Sequence, residues 1–138
     1  MRVPFRPFPG KPQPHLYPLL RVCVGRKHGQ RTRPFEAMVD SGAADCMFHA
    51  SIASAIGIRL DSGRREQRTG ISGGGAGVWV HSIQLYVGMD LFSIEAAFSP
   101  DLPLAGLLGR SGFFEHYRIT FDPTPDPPEL EIERVYRA

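Results

Sequence analysis

Phe35-Glu36-Ala37-Met38-Val39-Asp40-Ser41-Gly42-Ala43 decides the fold: a mainly apolar run of strand length ends in one carboxylate on a turn of small residues. Asp, Ser and Gly each favour tight turns, so the spacing predicts a strand followed by a turn that presents Asp40. One carboxylate cannot act as both general base and general acid in a single peptide hydrolysis step. Two held about 3 Å apart share a proton and can do both. A chain of 138 residues builds one domain with a real core but not two lobes that each bring a catalytic loop. Chemistry of this kind therefore implies a second copy of the chain.

Upstream, Leu19-Leu20-Arg21-Val22-Cys23-Val24-Gly25 reads as a strand that pairs with residues 34–39 across the polar run Arg26-Lys27-His28-Gly29-Gln30-Arg31-Thr32-Arg33. That hairpin loop is basic, but the whole chain carries only +2, which is no general argument for nucleic acid. Before it, six prolines within residues 4–18 remove backbone donors and fix φ, predicting an extended, poorly ordered leader over residues 1–16. Its Pro4-x-x-Pro7 and Pro9-x-x-Pro12 spacings could in principle feed an aromatic groove on another protein, but a plain leader is the expected reading.

Downstream, Ala50-Ser51-Ile52-Ala53-Ser54-Ala55-Ile56 places Ile52 and Ile56 on one face of a two-turn helix that Gly57 ends, with His49 as a helix-start residue. Arg68-Thr69-Gly70-Ile71 and Val78-Trp79-Val80-His81 flank Ser72-Gly73-Gly74-Gly75-Ala76-Gly77, a second hairpin with a tip nearly devoid of side chains. Strands continue through residues 83–87 and through the alternating Phe92, Ile94, Ala96 and Phe98. An apolar run at Leu104-Ala105-Gly106-Leu107-Leu108-Gly109 leads into Arg110, with a short helix expected over 110–117 and a strand over 118–122. After a proline-rich turn, residues 130–135 alternate strictly, as in a half-exposed final strand. The fold expected is all-β: a closed, mostly antiparallel barrel with one or two short helices.

Asp-Ser-Gly by itself is weak evidence of a site, and the chain carries its own control. Asp61-Ser62-Gly63 repeats the letters but runs into Arg64-Arg65-Glu66, without apolar support, and reads as a surface turn. Ser41 is not a serine nucleophile, because none of the five histidines stands at a spacing that nominates a general base. Gly73-Gly74-Gly75 is followed by strand and by no Lys-Ser or Lys-Thr, which excludes a phosphate loop.

The order of apolar strand with Asp40-Ser41-Gly42-Ala43, glycine-rich hairpin, and Leu107-Leu108-Gly109-Arg110 is more specific than any one of these elements. Over roughly residues 17–135 it resembles the retropepsin-like (retroviral-type) aspartic peptidases. The resemblance implies a homodimer in which each subunit gives one catalytic Asp40 to a single site on the two-fold axis. It implies that Ser41, Gly42, Ala43, Leu107, Leu108, Gly109 and Arg110 support the active-site loop. Gly42, Asp45, Gly73, Gly74 and Gly75 would touch substrate, the glycine hairpin closing as a flap, and Ile71 and Val78 beside it would join them, although these two and Trp79 read equally as core. Terminal strands, here residues 130–135 and part of the leader, would join the two copies. Serine stands where viral members commonly carry threonine, keeping the hydroxyl. Ala44 stands where they commonly carry an acid that contacts substrate main chain and partners the arginine at Arg110, leaving Asp45 as the carboxylate that could substitute.

The expected domains are thus a proline-rich arm over 1–16 and a peptidase domain over 17–138, hydrolysing peptide or unfolded protein without metal or organic cofactor. The alternative from another class is a catalytically weak or inactive dimerisation or peptide-binding module of the same fold. Two cysteines, Cys23 and Cys46, build neither a disulfide framework nor a thiolate zinc site. Met1-Arg2-Val3-Pro4-Phe5-Arg6-Pro7 lacks the apolar core of a signal peptide, and no run approaches the roughly 20 apolar residues of a membrane span. A cytoplasmic protein with neither membrane nor nucleic-acid partners is expected.

Overall fold

A computed structural model describes residues 1–10, 15–69 and 75–136. The strands run β1 (Arg2–Pro4), β2 (Leu19–Gly25), β3 (Phe35–Val39), β4 (Met47–His49), β5 (Arg64–Thr69), β6 (Gly75–Val87), β7 (Asp90–Ser99), β8 (Gly106–Leu108), β9 (Tyr117–Asp122) and β10 (Glu129–Arg134), with helix α1 at Ala50–Ala55. Seven of them form one sheet in the order β2-β3-β8-β4-β7-β6-β5, and a further β2–β6 pairing closes six into a barrel with β5 outside it. The long β6 makes closure possible. Its first half pairs with β5, its second half with β7, and residues 84–86 turn back onto β2.

Alternation along the strands fills the barrel. Leu20, Val22 and Val24 on β2 and Phe92, Ile94 and Ala96 on β7 point inward, to meet Phe48, Leu85, Phe98, Leu108 and Phe113. On β7 the alternation stops at Ala96, and all four residues from there to Ser99 are buried, because β4 runs parallel beside them and α1 packs against both. The helix starts at His49, whose Nδ1 accepts from the Ser51 amide at 3.0 Å, and ends where Gly57 takes φ +75.

Three expectations change. No helix forms over 110–117. Gly112 adopts φ +96, and the backbone makes wide turns in which the Phe114 and Glu115 amides donate to the Gly109 and Arg110 carbonyls. The outer strand of the glycine hairpin begins earlier, at Arg64, since a sheet edge solvates charged side chains. The leader is built into the molecule over its described part: β1 pairs with β10, which also pairs with β9, in a separate three-stranded sheet. Arg2 reaches Asp122, Glu129 and Glu131, and Arg6 pairs with Glu36 at 2.6 Å. Extended proline-rich backbone suits a strand edge as well as a free arm. Among the described residues, no helix is long and apolar enough to cross a membrane.

Candidate active site

Asp40 stands where two parallel strands end side by side. β3 and β8 pair through Met38↔Leu107 and Val39↔Leu108, and the Asp40 amide then donates to the Leu108 carbonyl at 3.0 Å. Val39 and Leu108 are buried, so the carboxylate leaves the barrel from a packed base while remaining partly exposed itself. Its Oδ1 accepts from the Gly42 amide at 2.9 Å, and the Ala43 amide donates to the Asp40 carbonyl at 3.2 Å. That turn chemistry is local, as the sequence predicts.

The second layer comes from the segment after β8. The Arg110 amide donates to the Ala43 carbonyl and the Ser111 amide to the Ala44 carbonyl, both at 2.9 Å. The Arg110 guanidinium donates from Nη1 to the Ser41 carbonyl at 2.8 Å. Backbone lies so close here that a Cβ on Gly109 would overlap the Asp45 carbonyl oxygen and come within 2.8 Å of that of Ala43. Only glycine fits. Gly42 is more open, a Cβ there meeting the Asp40 carboxylate at 3.2 Å. Behind the loop, Cys46 is fully buried with Sγ 3.6 Å from the Ser111 carbonyl, and burial pushes its thiol up to about 12.

The structure thus brings Asp40, Ser41, Gly42, Ala43, Leu107, Leu108, Gly109 and Arg110 to one place. Ser41 and Gly42 are exposed on its outer side. Ile71, Gly73 and Gly74 lie outside the described residues, and Gly75 opens β6 opposite Thr69. Two expected substrate contacts are corrected. Val78 is fully buried, its alternation placing it in the packed wall rather than on an open surface. Asp45 does not present a free carboxylate: Arg68 of β5 grips it, Nη2 to Oδ2 at 2.6 Å and Nε to Oδ1 at 3.4 Å. Nor is Asp45 the partner of Arg110.

Sequence reasoning missed Arg68 and its neighbours. Arg64, Glu66 and Arg68 share one face of β5 and are bridged in series, with Arg64 also reaching Glu95. On the other face Arg65 lies 3.9 Å over the Trp79 ring, where the missing side chain of Gly77 leaves room for its guanidinium. The signal was present as alternating charges in Arg64-Arg65-Glu66-Gln67-Arg68. A cavity of about 620 Å³ lies elsewhere, beside Phe8, Phe35 and Leu104 at the far end of β3. Among the described residues, no group of three or more His, Cys, Asp or Glu could hold a metal ion.

Residues 24–111, which take in the Asp40 turn and the Leu107–Arg110 support together, match the model of the aspartyl protease family. The chain belongs to that family. Its structure is also similar to the crystal structure of a retropepsin-like aspartic protease from Rickettsia conorii, with a TM-score of 0.64 and 20% identity over 96% of this chain and 90% of that one. At that identity the likeness establishes the fold, which is retropepsin-like. No curated protein matches the chain. In family and in fold, then, the Asp40 loop sits on an aspartyl protease scaffold.

Proposed function

We propose that the chain is an aspartic endopeptidase that works as a homodimer, with one Asp40 from each subunit in a shared site. One observation carries this reading. Asp40 is tied from behind by two strands and Arg110, while its outer neighbours Ser41 and Gly42 stand uncovered, as a loop awaiting its symmetry mate would. In the dimer one Asp40, ionised, takes a proton from water, and the other, protonated, donates to the scissile carbonyl oxygen. Like charges so close cannot both ionise, so the pair titrates as a unit. Ser41 hydroxyls join the two loops, and Gly42 lets an extended peptide approach as an added strand beneath the glycine hairpins. The mechanism asks for no metal or organic cofactor. On this reading residues 17–138 are the peptidase domain and 1–16 the proline-rich arm, of which Arg2–Pro4 pairs with β10. Because β10 is paired on both sides within one chain, a second copy joins at the β1 or β9 edge, or takes over the place of β1.

The test compares wild type with Asp40→Asn on a library of unstructured proteins from acidic to neutral pH. Cleavage by wild type alone is expected, and adding excess Asp40→Asn to wild type lowers the rate by forming mixed dimers. Equal cleavage by both proteins removes Asp40 from the reaction. Full activity from a species that sediments only as monomer removes the shared site. The engagement of Asp45 by Arg68 favours a second reading, a peptide-binding module without turnover. Peptide binding by a confirmed dimer that yields no products selects it.

A further inference from the structure

Among the described residues, Arg68–Asp45 is the one hydrogen-bonded side-chain link between β5 and the loop carrying Asp40. Arg68 is the last residue but one of β5, two residues before Gly70 in the sequence, and Asp45 is five residues beyond Asp40. Both side chains are about three-quarters buried, at 25% and 23% exposure, unlike the Arg59–Asp61 pair at 81% and 68%. The pair is two-pronged, which fixes orientation as well as distance. Its third prong is also fixed: Arg68 Nη1 donates to Glu66 at 2.8 Å, and Glu66 is held in turn by Arg64 at 2.6 Å. The Asp45 backbone is equally constrained, bridged to Ser111 and packed on Gly109. A guanidinium held by its own strand thus meets a carboxylate held by the active-site floor.

We infer that Arg68 is a positioning residue that latches the glycine hairpin to the floor of the cleft and, by occupying Asp45, keeps that carboxylate from reading basic side chains of a substrate. The inference rests on the peptidase reading for its kinetic consequence but not for its structural one. Releasing Arg68 frees β5 and β6 at the Thr69–Gly75 end of their pairing. It also exposes one negative charge within reach of a bound peptide, so that lysine or arginine near the cut becomes favoured.

Two readouts test this with Arg68→Gln, Asp45→Asn, the double variant and the exchanged pair Asp45→Arg/Arg68→Asp, all checked for native circular dichroism. The first, amide hydrogen exchange over residues 64–69 and 75–80, needs no turnover. Each single variant is expected to speed exchange at least fivefold, the double variant no more than either single, and the exchanged pair to return to within twofold of wild type. The single tryptophan, Trp79, lies within this hairpin and reports the same opening through acrylamide quenching. The second readout is cleavage of paired peptides differing by Lys or Gln beside the cut. Arg68→Gln is expected to raise KM about fivefold for the Gln peptide with kcat little changed, and to shift preference toward the Lys peptide; Asp45→Asn shares the KM rise but not the shift. Unaltered exchange in both single variants, or purely additive effects in the double, overturns the latch. The exchange pattern without any Asp40-dependent cleavage upholds the latch and removes the peptidase reading instead.

Discussion

The chain contains Asp-Ser-Gly twice, and the two copies have opposite fates. Asp40-Ser41-Gly42 leaves a buried strand, folds its carboxylate onto the Gly42 amide and is held from behind by Leu108, Arg110 and Ser111. Asp61-Ser62-Gly63 lies in a single 3-10 turn, where the Ser62 hydroxyl donates to the Arg59 carbonyl at 2.7 Å and Asp61 faces Arg59 in solvent. The tripeptide supplies a turn in both places. A site arises only where a parallel neighbour, β8, ends beside the turn and brings a second segment against it. Context across 69 residues of sequence, from Ser41 to Arg110, separates the two.

That contrast is best broken at the aspartates. Asp40→Asn is expected to lower cleavage by at least about a thousandfold, a loss on the order of 4 kcal/mol of transition-state stabilisation, while Asp61→Asn leaves it within about twofold. Steady-state assays on one unstructured substrate decide it, and comparable losses in both would make the context argument void. The glycines come next. Gly109→Ala forces a methyl into the Asp45 carbonyl and is expected to cost about 3 kcal/mol or more in chemical denaturation. Gly63→Ala also crowds its surroundings, at 2.5 Å from the His81 ring and 2.7 Å from the Val80 carbonyl oxygen, but only one backbone group is met there and less closely than the 2.2 Å approach at Gly109. Its cost is expected to be smaller, with cleavage per folded molecule retained.

A pH series sharpens the comparison from below the loop. Cys46, buried beneath the Asp40 turn, holds its proton to about 12, whereas an exposed thiol releases it near 9. The folded state therefore binds the proton more tightly, so this contribution is complete below pH 9 and is lost as pH rises from 9 toward 12. By pH 10.5 the loss is expected to reach about 2 kcal/mol, with Cys46→Ser removing that slope in urea titrations. Last are the arginines. Arg110→Gln is expected to cost about 1 kcal/mol through the Ser41 carbonyl and to lower cleavage severalfold, while Arg59→Gln, on a largely exposed pair, changes stability within measurement error.

Much of this architecture is legible in the residues. Alternation at Leu20, Val22 and Val24 and at Phe92, Ile94 and Ala96 marks barrel strands, and the apolar approach to Asp40 marks the turn that matters. What was not legible depends on contacts between distant segments. A short helix fits the letters of 110–117, but Gly112 adopts a left-handed conformation, and a Cβ there would lie 3.2 Å from both Cys46 Sγ and Ile94. Prolines in the leader suggest disorder until β10 offers an edge for Arg2–Pro4. Asp45 reads as a free acid until β5 brings Arg68 to it. Local chemistry announces turns and periods, whereas pairing partners become visible only once the barrel closes.

The charged outer strand has one more consequence. β5 borders the seven-stranded sheet, and among the described residues one side of its backbone has no neighbouring strand. An uncharged strand in that position would invite copy after copy to stack edge to edge into fibres. Arg64, Glu66 and Arg68 guard against such growth as well as steadying the hairpin, so neutralising all three should hasten thioflavin-positive aggregation of an otherwise folded protein.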